Sequence, residues 1–321
     1  MPLFYAMSVV SWYLGEAQQC YDPECWRLFP SQRAAITQFY IPNQANMATS
    51  IERVETRVGS VPKEHFLVHG QDGNAVDPSS VIFPILRHPE GLAPEVIGTG
   101  FYIAHQGLFA TARHVLKACL DEHGRPTIPL TILHRFPAAN KIVYRPIIRA
   151  CLHNGSDIAL GVGAPMRSDA TGDGLWANSV VLSSKPVDIG SMVTTYAYPN
   201  AITITRNADR HEIHIYPLFY AGAVVECFPD GRDRVMLPGP CYQTTMHLHG
   251  GASGGPVFDS QTGRVCGINC TSLSGATDVS FVSMIHKLLE IDIEGVVLDA
   301  RRGEETVRLS QLVALGHVRF E

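Results

Sequence analysis

The chain has 321 residues, 45% of them hydrophobic and 17% charged, with a formal net charge of −5 at pH 7. Such a chain can bury a large core, and without a dense Lys/Arg run it lacks the basic face that a nucleic-acid partner needs. Its 28 glycines and 21 prolines separate short apolar runs, the pattern of an all-β architecture.

Residues 3–14 are apolar, but no Lys or Arg precedes Arg27, so the positive start of a secretory signal is missing. The run is also too short to span a bilayer and is read as a packed helix. Residues 1–40 read as partly helical, with a break near Pro23. Strand-like pieces follow at residues 56–58 and 66–68, then a polar, turn-rich linker over 70–80. Gly98-Thr99-Gly100-Phe101 opens a strand, and a turn joins it to a second strand that ends near His114. A short helix is expected over 115–120 and strands near 128–134 and 141–151. Asp157 then opens a short apolar strand, Ile158 to Val162. Residues 167–178 read as a connecting loop. Further strands are expected at 192–197, 211–217, 221–227, 255–258 and 265–270. An amphipathic helix is expected over 283–289, followed by a charged turn and a last segment at 306–312.

The eight cysteines are Cys20, Cys25, Cys119, Cys151, Cys227, Cys241, Cys266 and Cys270. No His/Cys cluster has zinc-like spacing, so neither a metal nor any other cofactor is expected. Buried free thiols are the favoured reading, and they suit a reducing cytosol.

The chemistry concentrates in Gly251-Ala252-Ser253-Gly254-Gly255-Pro256. A serine in a glycine-rich turn can expose its hydroxyl beside converging backbone N–H groups, because glycine accepts backbone angles that a Cβ forbids. The hydroxyl is a weak nucleophile and needs a base, usually a histidine oriented by a carboxylate. His114 and Asp157 supply those residue types upstream. The same run fits the Gly-x-Ser-x-Gly elbow of an α/β-hydrolase esterase. That fold places its acid and histidine after the serine, where only His286 and His317 remain, and it leads from the serine into a helix.

Three segments, Thr111-Ala112-Arg113-His114, Asp157-Ile158-Ala159-Leu160 and Gly251-Ala252-Ser253-Gly254-Gly255-Pro256, resemble those of chymotrypsin-fold, trypsin-like serine peptidases in the family's order His, Asp, Ser. The Gly-Thr-Gly-Phe opening is closer to bacterial, HtrA-like members than to digestive ones. The resemblance covers residues 80–290. It implies an all-β fold of two six-stranded antiparallel barrels with a partly helical N-terminal extension and a closing C-terminal helix. The divisions expected are an extension 1–78, a first barrel 79–166 carrying His114 and Asp157, a second barrel 167–291 carrying Ser253, and a tail 292–321.

The resemblance further implies a Ser253–His114–Asp157 triad that hydrolyses peptide bonds through an acyl-enzyme, with the Gly251 and Ser253 N–H groups as oxyanion hole. It places His247 at the base of the specificity pocket and Asn269, Cys270, Thr271 and Ser272 along its wall. A histidine there suits an acidic or amide side chain rather than Lys or Arg; the other reading turns His247 away and leaves a pocket for small apolar residues. Ala252 stands where digestive members carry the aspartate that pairs with a newly cut N-terminus. Latency would then arise otherwise, from the N-terminal segment or from a partner that orders the oxyanion hole. The expected partner is a protein or peptide substrate, with no nucleic acid and no membrane, in the cytoplasm. The reading from a different class is an inactive peptidase fold kept as a binding or regulatory module.

Overall fold

The computed structural model describes residues 53–58, 68–136, 141–166, 174, 176–207, 210–272, 279–299 and 301–321. The expected helical character of residues 1–40, Cys20 and Cys25 lie outside them. The chain opens with β1 (Arg53–Val58), then the small hairpin β2 (Val68–His69) and β3 (Ala75–Val76). The stretch 70–80 is more than a linker. A 3-10 turn, Pro78–Ser80, is capped by the Asp77 carboxylate, which accepts the Ser79 N–H at 2.9 Å, and Ser79 and Ser80 are buried.

The first barrel comprises β4 (Ile82–Arg87), β5 (Glu95–Tyr102), β6 (Leu108–Thr111), β7 (Leu130–Phe136), β8 (Lys141–Leu152) and β9 (Ala159–Gly163). They bond in the order β4-β5-β6-β9-β8-β7, and β7 closes on β4. Strand β4 carries Pro84 without losing a ladder bond. It lies opposite Thr99, whose N–H and C=O both turn away from β4, and pairing with β7 begins only at Ile85. Phe83 packs on Tyr102 at 4.5 Å and edge-on to Phe109 at 5.5 Å, filling the barrel. Each such fully buried ring stabilises the fold by about 1.5–3 kcal/mol. The core also holds Arg145, 1% exposed, whose guanidinium donates to the carbonyls of Ala164 (2.6 Å) and Gln106 (2.9 Å).

The second barrel comprises β10 (Met192–Ala197), β13 (Leu218–Phe228), β14 (Cys241–Thr244), β15 (Pro256–Asp259), β16 (Val265–Ser272) and β17 (Ser280–Met284). It closes in the order β10-β13-β14-β17-β16-β15. Between β10 and β13 the chain makes a hairpin, β11 (Ile202–Asn207) and β12 (Arg210–Ile215). Strand β1 adds to the open edge of that hairpin in parallel, from Arg53 opposite Arg210 to Val58 opposite Ile215.

The expected helix over 283–289 is a strand end followed by a 3-10 helix, Ile285–Glu290. Residues 280–284 are held between β14 and β16, which leaves only six residues for helical turns. The tail folds back as β18 (Asp292–Val296), β19 (Glu305–Arg308) and a helix, Leu309–Ala314. Its end lies along the segment between the barrels. The Leu182 N–H donates to the Arg319 carbonyl at 3.0 Å and the Glu321 N–H to the Leu182 carbonyl at 2.9 Å.

Cys119, Cys151, Cys227, Cys241, Cys266 and Cys270 are all free. Among the described residues, no cluster of His, Cys, Asp or Glu could hold a metal ion, and no helix is long and apolar enough to cross a membrane.

Candidate active site

The base candidate is presented by a short helix, α1 (Arg113–Lys117), directly after β6. Ala112 leaves the strand with extended backbone and His114 falls in the first helical turn. The strand thus ends earlier than the sequence pattern suggests, and Arg113 is helical, so side-chain alternation along a strand does not decide where it points. Asp157 lies in the turn between β8 and β9. Its Oδ2 is 2.7 Å from His114 Nδ1, and its Oδ1 accepts the His114 backbone N–H at 2.9 Å. Two bonds to one residue fix both the imidazole and the helix that carries it. Burial pushes the Asp157 carboxyl up, but the hydrogen bonds and charge of His114 outweigh it, and the pKa lies below the ordinary carboxylate value. The His114 side chain is 49% exposed against 13% for Asp157, so the base edge faces the open side of the site.

Ser253 belongs to the other barrel, in the turn that leads into β15. The Ala252 N–H closes on the His249 carbonyl at 3.1 Å, with Gly251 at φ +93° in the third position, a type II arrangement that demands glycine. Gly254 follows at φ +87°, and a Cβ there would lie 2.1 Å from Thr111 Oγ1 and 2.2 Å from the Thr99 carbonyl. Among the described residues, the N–H groups of Gly251 and Ser253 make no hydrogen bond. Two free donors two residues apart can receive a developing negative charge.

The Ser253 hydroxyl donates to the Cys270 carbonyl at 2.9 Å and makes no hydrogen bond to His114. The bond to Cys270 must be given up before the hydroxyl can pass its proton to the imidazole.

A residue that sequence reading left without a role pins this turn. Thr99, fully buried in β5, donates its N–H to the Ser253 carbonyl (2.8 Å) and its hydroxyl to the Gly251 carbonyl (2.8 Å). The same oxygen accepts the Tyr198 N–H at 3.1 Å, and the Thr99 carbonyl accepts the Thr111 hydroxyl at 2.7 Å. The signal was present as a hydroxyl residue between two glycines, in Gly98-Thr99-Gly100. A Cβ at Gly98 would sit 3.0 Å from the Ser253 carbonyl.

The residues expected to form a pocket are scattered in character. Asn269 is fully buried, and its Nδ2 donates to Thr195 Oγ1 at 2.8 Å. The Cys270 thiol is also buried, 2.9 Å from Ser283 Oγ, and burial followed by the charge of Asp157 pushes it well above its usual pKa. Thr271 is half-buried beside them, and Ser272 closes β16 opposite Ser280. His247 is exposed, with its ring edge-on to His249 at 4.8 Å, and His249 Nδ1 lies 3.1 Å from the Tyr220 hydroxyl.

The model of a family described as the trypsin-like peptidase domain matches residues 98–268, more than half of the chain. No curated protein matches the sequence significantly. Among solved structures, the active form of the Rv3671c protease from M. tuberculosis is similar over 76% of this chain and 84% of that one, at 14% identity and a TM-score of 0.46. Deg5 is similar over 65% of this chain and 85% of its own, at 20% identity and a TM-score of 0.45. The serine endoprotease from Yersinia pestis is similar over 65% of this chain and 60% of its own, at 15% identity and a TM-score of 0.42.

Proposed function

The chain belongs to the trypsin-like peptidase family and is a serine protease of the chymotrypsin fold, and on that premise we propose that it cleaves peptide bonds in protein substrates by a Ser253–His114–Asp157 triad. His114 Nε2 takes the Ser253 proton as Oγ bonds to the substrate carbonyl carbon. The carbonyl oxygen gathers negative charge against the Gly251 and Ser253 N–H groups. His114 then gives the proton to the departing amine as the C–N bond breaks, leaving an acyl-enzyme that water hydrolyses by the reverse proton path. Asp157 holds the imidazole in one tautomer and stabilises its charged form. The observation that carries this reading is the 2.7 Å contact between His114 and Asp157, set beside a serine turn with two free N–H groups.

The resting state in this reading spends the Ser253 hydroxyl proton on the Cys270 carbonyl rather than on His114. The oxyanion turn, by contrast, is already shaped. We therefore place latency at the serine side chain, with substrate or a partner protein releasing it. Strand β1 acts as a support to the hairpin β11–β12. A histidine-rich rim at His247 and His249 favours acidic or amide side chains. The unpaired thiols suit a cytosolic setting.

The test is labelling of the purified protein with a fluorophosphonate and measurement of the intact mass, beside Ser253→Ala. One adduct that the variant loses supports the triad. A folded protein that never takes the label is instead a binding or regulatory module.

A further inference from the structure

The segment after β10 is built to hold one peptide group of the nucleophile turn. Asn200 sits at φ +51°, the only non-glycine among the described residues with positive φ. Asparagine tolerates this left-handed conformation better than other residues with a side chain, at a cost that the surroundings must offset. The Asn200 side chain is exposed, and the use made of the residue is its backbone N–H, which donates to the Gly250 carbonyl at 2.9 Å.

That carbonyl shares a planar trans peptide with the Gly251 N–H, and in such a peptide C=O and N–H point opposite ways. Holding the Gly250 oxygen on Asn200 therefore aims the Gly251 N–H away from the 198–200 segment. This peptide is the central one of the His249–Ala252 turn. Its two flanking residues are both glycine, so it can turn over at little steric cost. Turned over, it would present an acceptor where the reaction needs a donor.

The anchor is itself tied to the first barrel. The Tyr198 hydroxyl donates to the Ile82 carbonyl of the first barrel at 2.9 Å, the Tyr198 N–H donates to Thr99 Oγ1, and Pro199 is buried. The backbone at Gly251 rests on this segment so closely that a Cβ there would lie 2.8 Å from the Tyr198 carbonyl.

We propose that Asn200 is a positioning residue for the oxyanion site: its left-handed backbone presents the N–H that keeps the Gly250–Gly251 peptide in the donor-inward orientation. The proposal rests on Ser253 being the nucleophile, and its test separates the two ideas.

Asn200→Pro removes the donor and forbids positive φ, whereas Asn200→Gly keeps the donor and relaxes the backbone. Fluorophosphonate inactivation of the full chain would be followed with each. With Asn200→Pro the maximal inactivation rate is expected to fall about a hundredfold, the scale of losing one oxyanion donor. The half-saturating probe concentration should stay within about twofold, because the donor acts on the transition state. Asn200→Gly should stay within about threefold of wild type in both. A folded Asn200→Pro that labels at the wild-type rate overturns the proposal.

If Asn200→Pro does not fold, Asn200→Val keeps the N–H but disfavours the left-handed angle. It should slow labelling about tenfold, the size of a 1–2 kcal/mol backbone strain, and a wild-type rate overturns the proposal. If wild type itself never labels, the nucleophile reading fails, and crystal structures decide the positioning role. A Gly250 carbonyl that keeps its direction in the variant refutes it, and a reversed peptide supports it.

Discussion

The Thr99 hydroxyl in the first barrel donates to the Gly251 carbonyl in the second at 2.8 Å, while the Thr99 N–H holds the Ser253 carbonyl at the same distance. One fully buried residue thereby grips both residues whose N–H groups are proposed to receive the reacting oxygen. Thr99→Val keeps the shape and deletes the hydroxyl. It leaves the Gly251 carbonyl and the Tyr198 N–H without that partner, which should cost about 1–3 kcal/mol in urea denaturation. Fluorophosphonate labelling should slow at least tenfold, and Thr99→Ser should restore most of both. A valine variant as stable and as reactive as wild type would remove Thr99 from this role.

Asp157→Asn preserves the acceptor for the His114 backbone N–H but offers an amide where the imidazole needs a carboxylate. The expected result is a fall of about 10⁴ in kcat on a peptide substrate, with a change in melting temperature of only a few degrees. A loss under tenfold would mean that His114 is not oriented by Asp157 in the reaction.

Acid should weaken the fold in two windows that overlap at their low end. Burial lowers the pKa of His134 from 6.5 to about 3, with the Arg145 charge adding to the effect. Its folded pKa is below the unfolded one, so the stability of the neutral form is present above pH 6.5. It declines by about 1.4 kcal/mol per unit as pH falls from 6.5 toward about 3. Burial shifts His88 and His286 in the same direction, so the wild-type slope will be steeper than one histidine gives. The Asp157 contribution is also present at neutral pH, but it is lost only below the ordinary value of 3.8. Urea midpoints at pH 7 and pH 5 will show the first window, and His134→Gln should flatten it. An unchanged slope in that variant would assign the acid sensitivity elsewhere.

Strand β1 should matter to the site although it is remote in sequence. In a parallel pair only alternate residues bond a given neighbour. The double change Glu55→Pro and Thr56→Pro therefore removes a donor to β12 whichever register side is used. Amide exchange across β11 and β12 should accelerate, and labelling of Ser253 should slow severalfold. Faster labelling would instead identify the segment as an inhibitor.

Much of this was readable in the chain because each chemical residue sits beside a local backbone signal. Thr111 ends a strand just before His114, Asp157 precedes an apolar run, and Ser253 lies between glycines whose positive φ no other residue accepts comfortably. Strand β10 was legible to the residue, from alternation bounded by turn residues. What stayed hidden depends on contacts distant in sequence. Of the helix expected over 283–289, Ser283 and Met284 become the end of a strand because its neighbours hydrogen-bond it, and 3-10 turns begin only at Ile285. Strand β11 opens with the alternation Ile202-Thr203-Ile204-Thr205, a strand signal that sequence reading passed over, and its pairing with β12 is a tertiary outcome. The roles of Thr99 and Asn200 rest on hydrogen bonds to the serine turn, roughly 150 and 50 residues away.

In the proposed triad the base and its carboxylate, His114 and Asp157, come from the first barrel, whereas Ser253 and the Gly251 and Ser253 N–H groups come from the second. A ribosome releases these halves in order, so a nascent chain carries His114 and Asp157 for the whole time that β10 to β15 are being made. It has no serine turn until β15 emerges, and that turn has no grip until the barrels dock through Thr99. Cutting ability is therefore among the last properties the chain acquires during synthesis.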